Sequence, residues 1–130
     1  MNAGIGNRRV KVFFDGGCRP NPGTMEIAVV AAGQTIVVAD AGQGTSMDAE
    51  WLALLHALEF ARSLGLSEFV LIGDAADVVA KANGTIKARG TAAAHLERFQ
   101  TLTSGRPPRV RYIKRSQNLA GIALAKRHPR

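Results

Sequence analysis

The chain has 130 residues, 46% of them hydrophobic and 21% charged, a balance that suits one globular domain with a single core and excludes a disordered polymer. Seventeen Lys and Arg against ten Asp and Glu give a net charge of +7, which favours polyanionic partners such as nucleic acid. The lone Cys18 excludes an internal disulfide and a Cys-based zinc cage. No apolar run approaches a membrane span, and the first residues lack the apolar stretch of a signal peptide. A cytoplasmic monomer with no membrane association is therefore expected. The positive charge gathers late: Lys114, Arg115, Lys126, Arg127 and Arg130 follow Tyr112 with no acid among them. Such a run suits phosphate binding or simply a solvated tail.

In chain order, Val10–Asp15 is an apolar, β-branched and aromatic run that predicts a first strand. It stops on a carboxylate, and Gly16-Gly17-Cys18-Arg19-Pro20-Asn21-Pro22-Gly23 turns the chain at once. Met25–Ala32 and Gln34–Asp40 read as second and third strands, joined by a short hairpin at Ala32-Gly33-Gln34. Ala41-Gly42-Gln43-Gly44 interrupts the pattern, and a long helix follows. Thr45 or Ser46 can cap that helix, with Asp48 and Glu50 in its first turn. Trp51, Leu54, Leu55 and Leu58 recur at helical spacing, which makes Trp51 a core residue, and Gly65 ends the run. Phe69–Gly73 is a fourth strand that ends at Asp74. Two helices, Ala75–Ala82 and Ala92–Leu102, precede a last strand at Arg109–Ile113 and a terminal helix at Asn118–Lys126. Residues 1–8 and 127–130, His128 among them, are left as tails of a single domain spanning 1–130. The order β-β-β-α-β-α-α-β-α predicts an α/β protein: a mixed five-stranded sheet, with an antiparallel meander first, flanked by helices.

Three acids stand where elements meet. Asp15 closes the first strand, Glu50 lies in the first turn of the long helix and Asp74 closes the fourth strand. A buried strand does not finish on an unpaired carboxylate without cost, and strand ends are where distant segments of a mixed sheet converge on ligands. Carboxylates crowded together hold protons unless a cation neutralises them, and a site with oxygen ligands alone suits Mg²⁺ or Mn²⁺. Each acid also has a plain alternative, Glu50 as a partner of the helix dipole and Asp74 as a helix cap. Cys18 reads as a small residue of the turn rather than a nucleophile, because no His lies near it in sequence.

The run Asp15-Gly16-x-Cys18-x-x-Asn21-Pro22-Gly23 resembles the opening of the ribonuclease H type 1 family. Thr45 ahead of Ala49-Glu50-Trp51, then Val70-Leu71-Ile72-Gly73-Asp74, then Arg115-x-x-Asn118 resemble further landmarks of that family in the right order. The resemblance implies a ribonuclease H-like fold and a metal-dependent endonuclease that hydrolyses the RNA strand of an RNA–DNA hybrid. It implies that Asp15, Glu50 and Asp74 are the catalytic acids, and that they hold Mg²⁺ or Mn²⁺ with the help of Gly16. It further implies that Gly17, Cys18, Asn21, Thr45 and Asn118 contact the hybrid, whose RNA strand is read partly through its 2′-hydroxyls.

The chain also departs from the family pattern. A fourth acid belongs on the last helix, in a run like N-x-x-A-D-x-L-A, and here Asn118-Leu119-Ala120-Gly121-Ile122-Ala123-Leu124-Ala125 puts Ile122 in its place. Ile122 also falls at helical spacing with Leu119, Ala123 and Lys126, which leaves it either at the site or packed inward. Ser46-Met47 stands for an expected Asn pair, and Ala75 for the Ser that usually follows the third acid. No basic residue ahead of the last helix identifies itself as an aid to product release. Asp48 and Asp77 are near enough in sequence to be considered as substitutes, but their helical phase points them away. Reduced hydrolysis is one expectation. A nucleic-acid- or protein-binding module without turnover is another, and a related nuclease acting on a different substrate is a third.

Overall fold

Val12 and Phe14 alternate with Lys11 and Phe13 to build β1 (Val10–Cys18), the first strand of a computed structural model that describes residues 9–128. The strand continues three residues beyond Asp15, where the sequence pattern ended it. Gly16, Gly17 and Cys18 go on pairing with β2 (Gly23–Ala31), Gly16 opposite Ile27 and Cys18 opposite Met25. The hairpin at Ala32-Gly33, where Gly33 has φ +75°, leads into β3 (Gln34–Val38). Inside the stretch read as an interruption, a two-residue strand, β4 (Gln43–Gly44), pairs with the start of β2. Next come α1 (Ser46–Ser63), β5 (Phe69–Gly73), α2 (Ala76–Ala82) and α3 (Thr91–Leu102). The chain closes with β6 (Val110–Tyr112), one 3-10 turn at Arg115–Gln117, and α4 (Leu119–Ala125).

The main path of the sheet runs β3-β2-β1-β5-β6, antiparallel across the first three strands and parallel from β1 through β5 to β6. This is the expected mixed five-strand sheet, with β4 as an addition. The last pair of the β1–β5 ladder is Phe13 with Ile72. β5 stops at Gly73, while β1 carries on with β2 alone. Asp15 and Asp74 therefore both lie just past the end of the parallel ladder, where a strand end opens into a cleft.

Successive residues of β1 face opposite sides of the sheet. Val12 and Phe14 join Trp51, Leu54 and Leu58 of α1 in the main core, all at most 1% exposed. On the other side, α4 lays Ala120 and Leu124 over Ala28 beside Phe13 and Val30. Thr45 rather than Ser46 caps α1. Its hydroxyl accepts from the Asp48 N–H while the Asp48 carboxylate accepts from the Thr45 N–H, a reciprocal box that satisfies two orphan donors. Helix and strand touch backbone to backbone at Gly16: a Cβ placed there would stand 2.2 Å from the Ala49 carbonyl oxygen.

Two residues read as tail are anchored. Glu26 is 6% exposed on β2, and its carboxylate accepts from Arg127 Nε at 3.1 Å and pairs with His128 Nε2 at 2.8 Å. The remaining expected tail positions, 1–8 and 129–130, lie outside the described residues. Among the described residues no helix is long and apolar enough to cross a membrane.

Two stability predictions follow from these contacts. Gly16→Ala forces α1 off β1 and is expected to cost about 3 kcal/mol, the upper part of the usual range for overpacking, as read by urea unfolding. The second concerns Glu26. Burial pushes its proton affinity up, but the hydrogen bonds and charges of His128 and Arg127 outweigh burial and leave it below the ordinary 4.5. A carboxylate lowered in this way stabilises the fold above its unfolded value, and the contribution fades as pH falls through the folded one. The double variant Arg127→Ala/His128→Ala should lose about 2 kcal/mol at neutral pH, with the two unfolding curves converging as the solution is acidified below about pH 4.

Candidate metal centre

The three acids come from three elements and meet. One carboxylate oxygen from each of Asp15, Glu50 and Asp74 lies within 4.8 Å of the other two. Asp15 arrives on β1, and Glu50 reaches down from the start of the second turn of α1, one turn later than its expected place, where its Oε1 accepts the Gly16 N–H at 3.0 Å. Only a glycine lets the helix come that close, so the contact that joins α1 to β1 also delivers the second acid. Asp74 follows β5 and is held by Asn118, whose Nδ2 donates to Asp74 Oδ2 at 2.9 Å and to the Phe14 carbonyl at 3.0 Å.

Such crowding has an electrostatic signature. Burial, then the charge of Asp74, pushes the Asp15 carboxyl up from 3.8 to about 7. Burial, then the charges of Asp15 and Asp74, pushes Glu50 up from 4.5 to about 9. Arg115, which lines the same cleft, opposes both shifts. Partly buried carboxylates that hold protons for want of a counter-charge are the donor set a hard divalent cation fits, since oxygen ligands alone suit it and its charge removes the repulsion. The cleft measures about 420 Å³, and its walls include Asp15, Glu50, Arg115, Gly121, Ile122 and Glu26.

The residues expected to contact substrate divide into groups. Gly17 and Cys18 line the cleft through the extension of β1. The Cys18 thiol is buried and donates to the Pro20 and Gly44 carbonyls, which ties the turn together. Asn21 and Thr45 are both exposed at the start of α1. Asn21 Oδ1 accepts the Ser46 N–H at 3.0 Å, and the Thr45 hydroxyl is engaged with Asp48. Asn118 is also expected at the substrate. It is 0% exposed, its amide nitrogen serves Phe14 and Asp74, and its oxygen caps α4 through the Ala120 N–H. Both hydrogens of its amide nitrogen are used, and the one given to Asp74 Oδ2 holds the third acid in place.

Neither substitute acid enters the site. Asp77 pairs with Lys81 at 2.7 Å, and Asp48 is taken up by Thr45 and His95. Ile122 is 41% exposed at the wall of the cleft and does not pack inward. Sequence reasoning passed over Gly121: a Cβ there would sit 3.4 Å from Asp15 Oδ2 and 3.6 Å from Asp74 Oδ2, so α4 walls the acids with bare backbone. Arg115 shows in the sequence as part of a motif and of the late basic run, but neither tied it to the acids, although a cation just ahead of a helix that closes on acids was a usable signal. Glu26 gave no local signal, because its partners lie 101 and 102 residues away.

Acids with raised proton affinity weaken the fold as pH climbs above their unfolded values, and the loss continues until their folded values are passed. In chelator the melting temperature should therefore fall between about pH 5 and pH 9. Saturating Mg²⁺ or Mn²⁺ should raise it, most at the alkaline end, where the cation displaces the fewest protons. Thermal melts across that grid check both statements; melting unaffected by either ion at about pH 8–9 would remove the metal assignment.

The comparisons with known proteins agree with this geometry. The family model described as reverse transcriptase-like matches residues 13–128, a span that holds all three acids. Ribonuclease HI of Halobacterium salinarum is 38% identical over 71 residues, which are 51% of this chain and only 36% of that protein. The crystal structure of RNase H1 from the same archaeon superposes with a TM-score of 0.74 at 29% identity, covering 92% of this chain and 99% of that one. LC11-RNase H1, crystallised in complex with RNA/DNA hybrid, gives a TM-score of 0.75 over 85% of this chain and 89% of its own; at 24% identity that is a likeness of fold. Taken with the ordered motifs and the strand-end acids they bring together, these matches show that the chain belongs to the ribonuclease H type 1 family.

Proposed function

We propose that this chain is a divalent-metal-dependent endonuclease that hydrolyses the RNA strand of RNA–DNA hybrids. The observation that carries the reading is the convergence of Asp15, Glu50 and Asp74 within 4.8 Å at the end of the parallel ladder. The three acids are the residues that hold Mg²⁺ or Mn²⁺. Bound there, the ion supplies the charge that acidifies an attacking water and stabilises a leaving oxygen in phosphodiester cleavage. The chain's own groups do the rest. The Gly16 N–H fixes Glu50, Asn118 fixes Asp74, and Arg115 offers a positive charge to a phosphate entering the cleft that it lines. Gly17, Cys18, Asn21 and Thr45 lie on the side from which the RNA strand and its 2′-hydroxyls approach. The fold is known to accept this ligand in one relative, since LC11-RNase H1 was crystallised with an RNA/DNA hybrid.

Ile122 limits the site in this reading, because it stands at the cleft wall where the family resemblance calls for a fourth carboxylate. Met47, Leu119 and Ile122 are all exposed apolar side chains, at 39%, 46% and 41%. Their exposure favours a second reading, a module with little turnover that binds nucleic acid or a protein partner.

Cleavage of a labelled hybrid, with Mg²⁺ and Mn²⁺ supplied separately, decides between the two. Asp74→Asn or Glu50→Gln should reduce cleavage by about 100-fold or more. Ile122→Asp should raise turnover and lower the ion concentration required by about ten-fold, with Ile122→Asn as the uncharged control. Because Ile122 is exposed, the new carboxylate carries little burial cost; its repulsion from the other acids should lower the melting temperature in chelator, and saturating Mg²⁺ should restore it to near that of the wild type. A wild type that binds hybrid but cleaves it with neither ion, and gains nothing from Ile122→Asp, establishes the binding module instead.

A further inference from the structure

Glu50 stands between two residues that one side chain of α3 grips. His95 Nε2 lies 2.9 Å from Asp48 Oδ1. The same imidazole lies flat on the Trp51 indole, with centroids 5.9 Å apart and planes 10° from parallel. The other oxygen of Asp48 is engaged by the Thr45 N–H at 3.1 Å and hydroxyl at 3.0 Å, so Asp48 joins the cap of α1 to α3. Trp51 is 0% exposed and its Nε1 has no partner, so packing and the His95 stack alone hold the indole.

Helical phase makes this grip matter. Asp48 and Trp51, three residues apart, share one face of α1, and Glu50 projects from a different one. Whatever fixes the Asp48–Trp51 face fixes the rotation of the first turn, and with it the reach of Glu50 toward the Gly16 N–H. Rotation by about 10° moves a group at the roughly 5–6 Å outer radius of a helix by about 1 Å, enough to lose a hydrogen bond or a ligand position.

We infer that His95 is a positioning residue for Glu50: through Asp48 it locks the first turn of α1 so that the Glu50 carboxylate meets Asp15 and Asp74. The inference rests on the proposal that these acids hold a divalent cation, and it adds a residue on a separate helix to the support of that site. Binding and positioning are linked in both directions, so an ion held by Glu50 also steadies the His95–Trp51 stack. Trp51 is the one tryptophan in the chain, and its emission reports the stack without a label.

Two variants test the inference. His95→Phe keeps a flat ring on Trp51 and removes the bond to Asp48. His95→Gln restores an N–H donor without the ring. Three quantities are read on each folded variant: Mg²⁺ affinity by calorimetry, the change in Trp51 emission on Mg²⁺ addition, and the Gly16 amide resonance with its hydrogen exchange in metal-free protein. His95→Phe should bind Mg²⁺ about ten-fold more weakly, the lower end for loss of an outer-shell partner, and its Gly16 amide should shift and exchange faster. His95→Gln should return both to within about three-fold of the wild type, on the same scale of effect. A folded His95→Phe with wild-type Mg²⁺ affinity and an unchanged Gly16 amide overturns the inference, even if its melting temperature has dropped. Loss of the Gly16 amide bond in that variant, together with a wild type that binds no Mg²⁺, upholds the positioning and defeats the metal reading instead.

Discussion

The backbone approach of β1 and α1 at Gly16 is the constraint on which the rest depends. With no side chain between strand and helix, the Ala49 carbonyl rests where a Cβ would have been. That distance brings Glu50 within 3.0 Å of the Gly16 N–H and leaves Trp51, Leu54 and Leu58 to fill the space above Val12 and Phe14. A larger residue at position 16 would change the core and the acid cluster together, because the same helix supplies both.

The cluster is a local conflict that the fold sustains. Three carboxylates at one point are unfavourable, and burial sharpens their repulsion. Fixed groups surround them: the Gly16 N–H on Glu50, the Asn118 amide on Asp74, and the charge of Arg115 in the same cleft. None of these cancels the excess negative charge. Sites that break local rules in this way are where function is found, and here the broken rule is charge balance.

Much of this was legible in the sequence because it is local. The apolar run ending on Asp15, the start of the long helix holding Glu50 and the strand ending at Asp74 each show their acid within a few residues, and the structure brings the three together. Thr45 and Asp48 show as a cap for the same reason. What was not legible depends on residues far apart in the chain. Continuation of β1 to Cys18 is decided by its partner Met25 across the turn, which a Gly-rich run conceals. Asn118 reads as a substrate contact at the start of a helix, and its bonds to Phe14 and Asp74 lie 104 and 44 residues away. Arg127 and His128 read as a solvated tail because nothing near them is acidic, whereas their acid is Glu26 on β2.

That long-range pairing sets an order of events during synthesis. Phe14 and Asp74 wait for Asn118, and Glu26 waits for His128, which follows it by 102 residues. At the usual elongation rate of about 5–20 residues per second, the second wait is on the order of 5–20 seconds. Throughout it Glu26 lies on the face of β2 that α4 later covers, so its carboxylate stays in water until the helix and the two partners that follow it arrive together. A nascent chain that has made all three acids but not the last helix thus holds them without their wall and without the Asn118 clamp. Completion of the cluster therefore belongs to α4 and the Asn118 cap that precedes it.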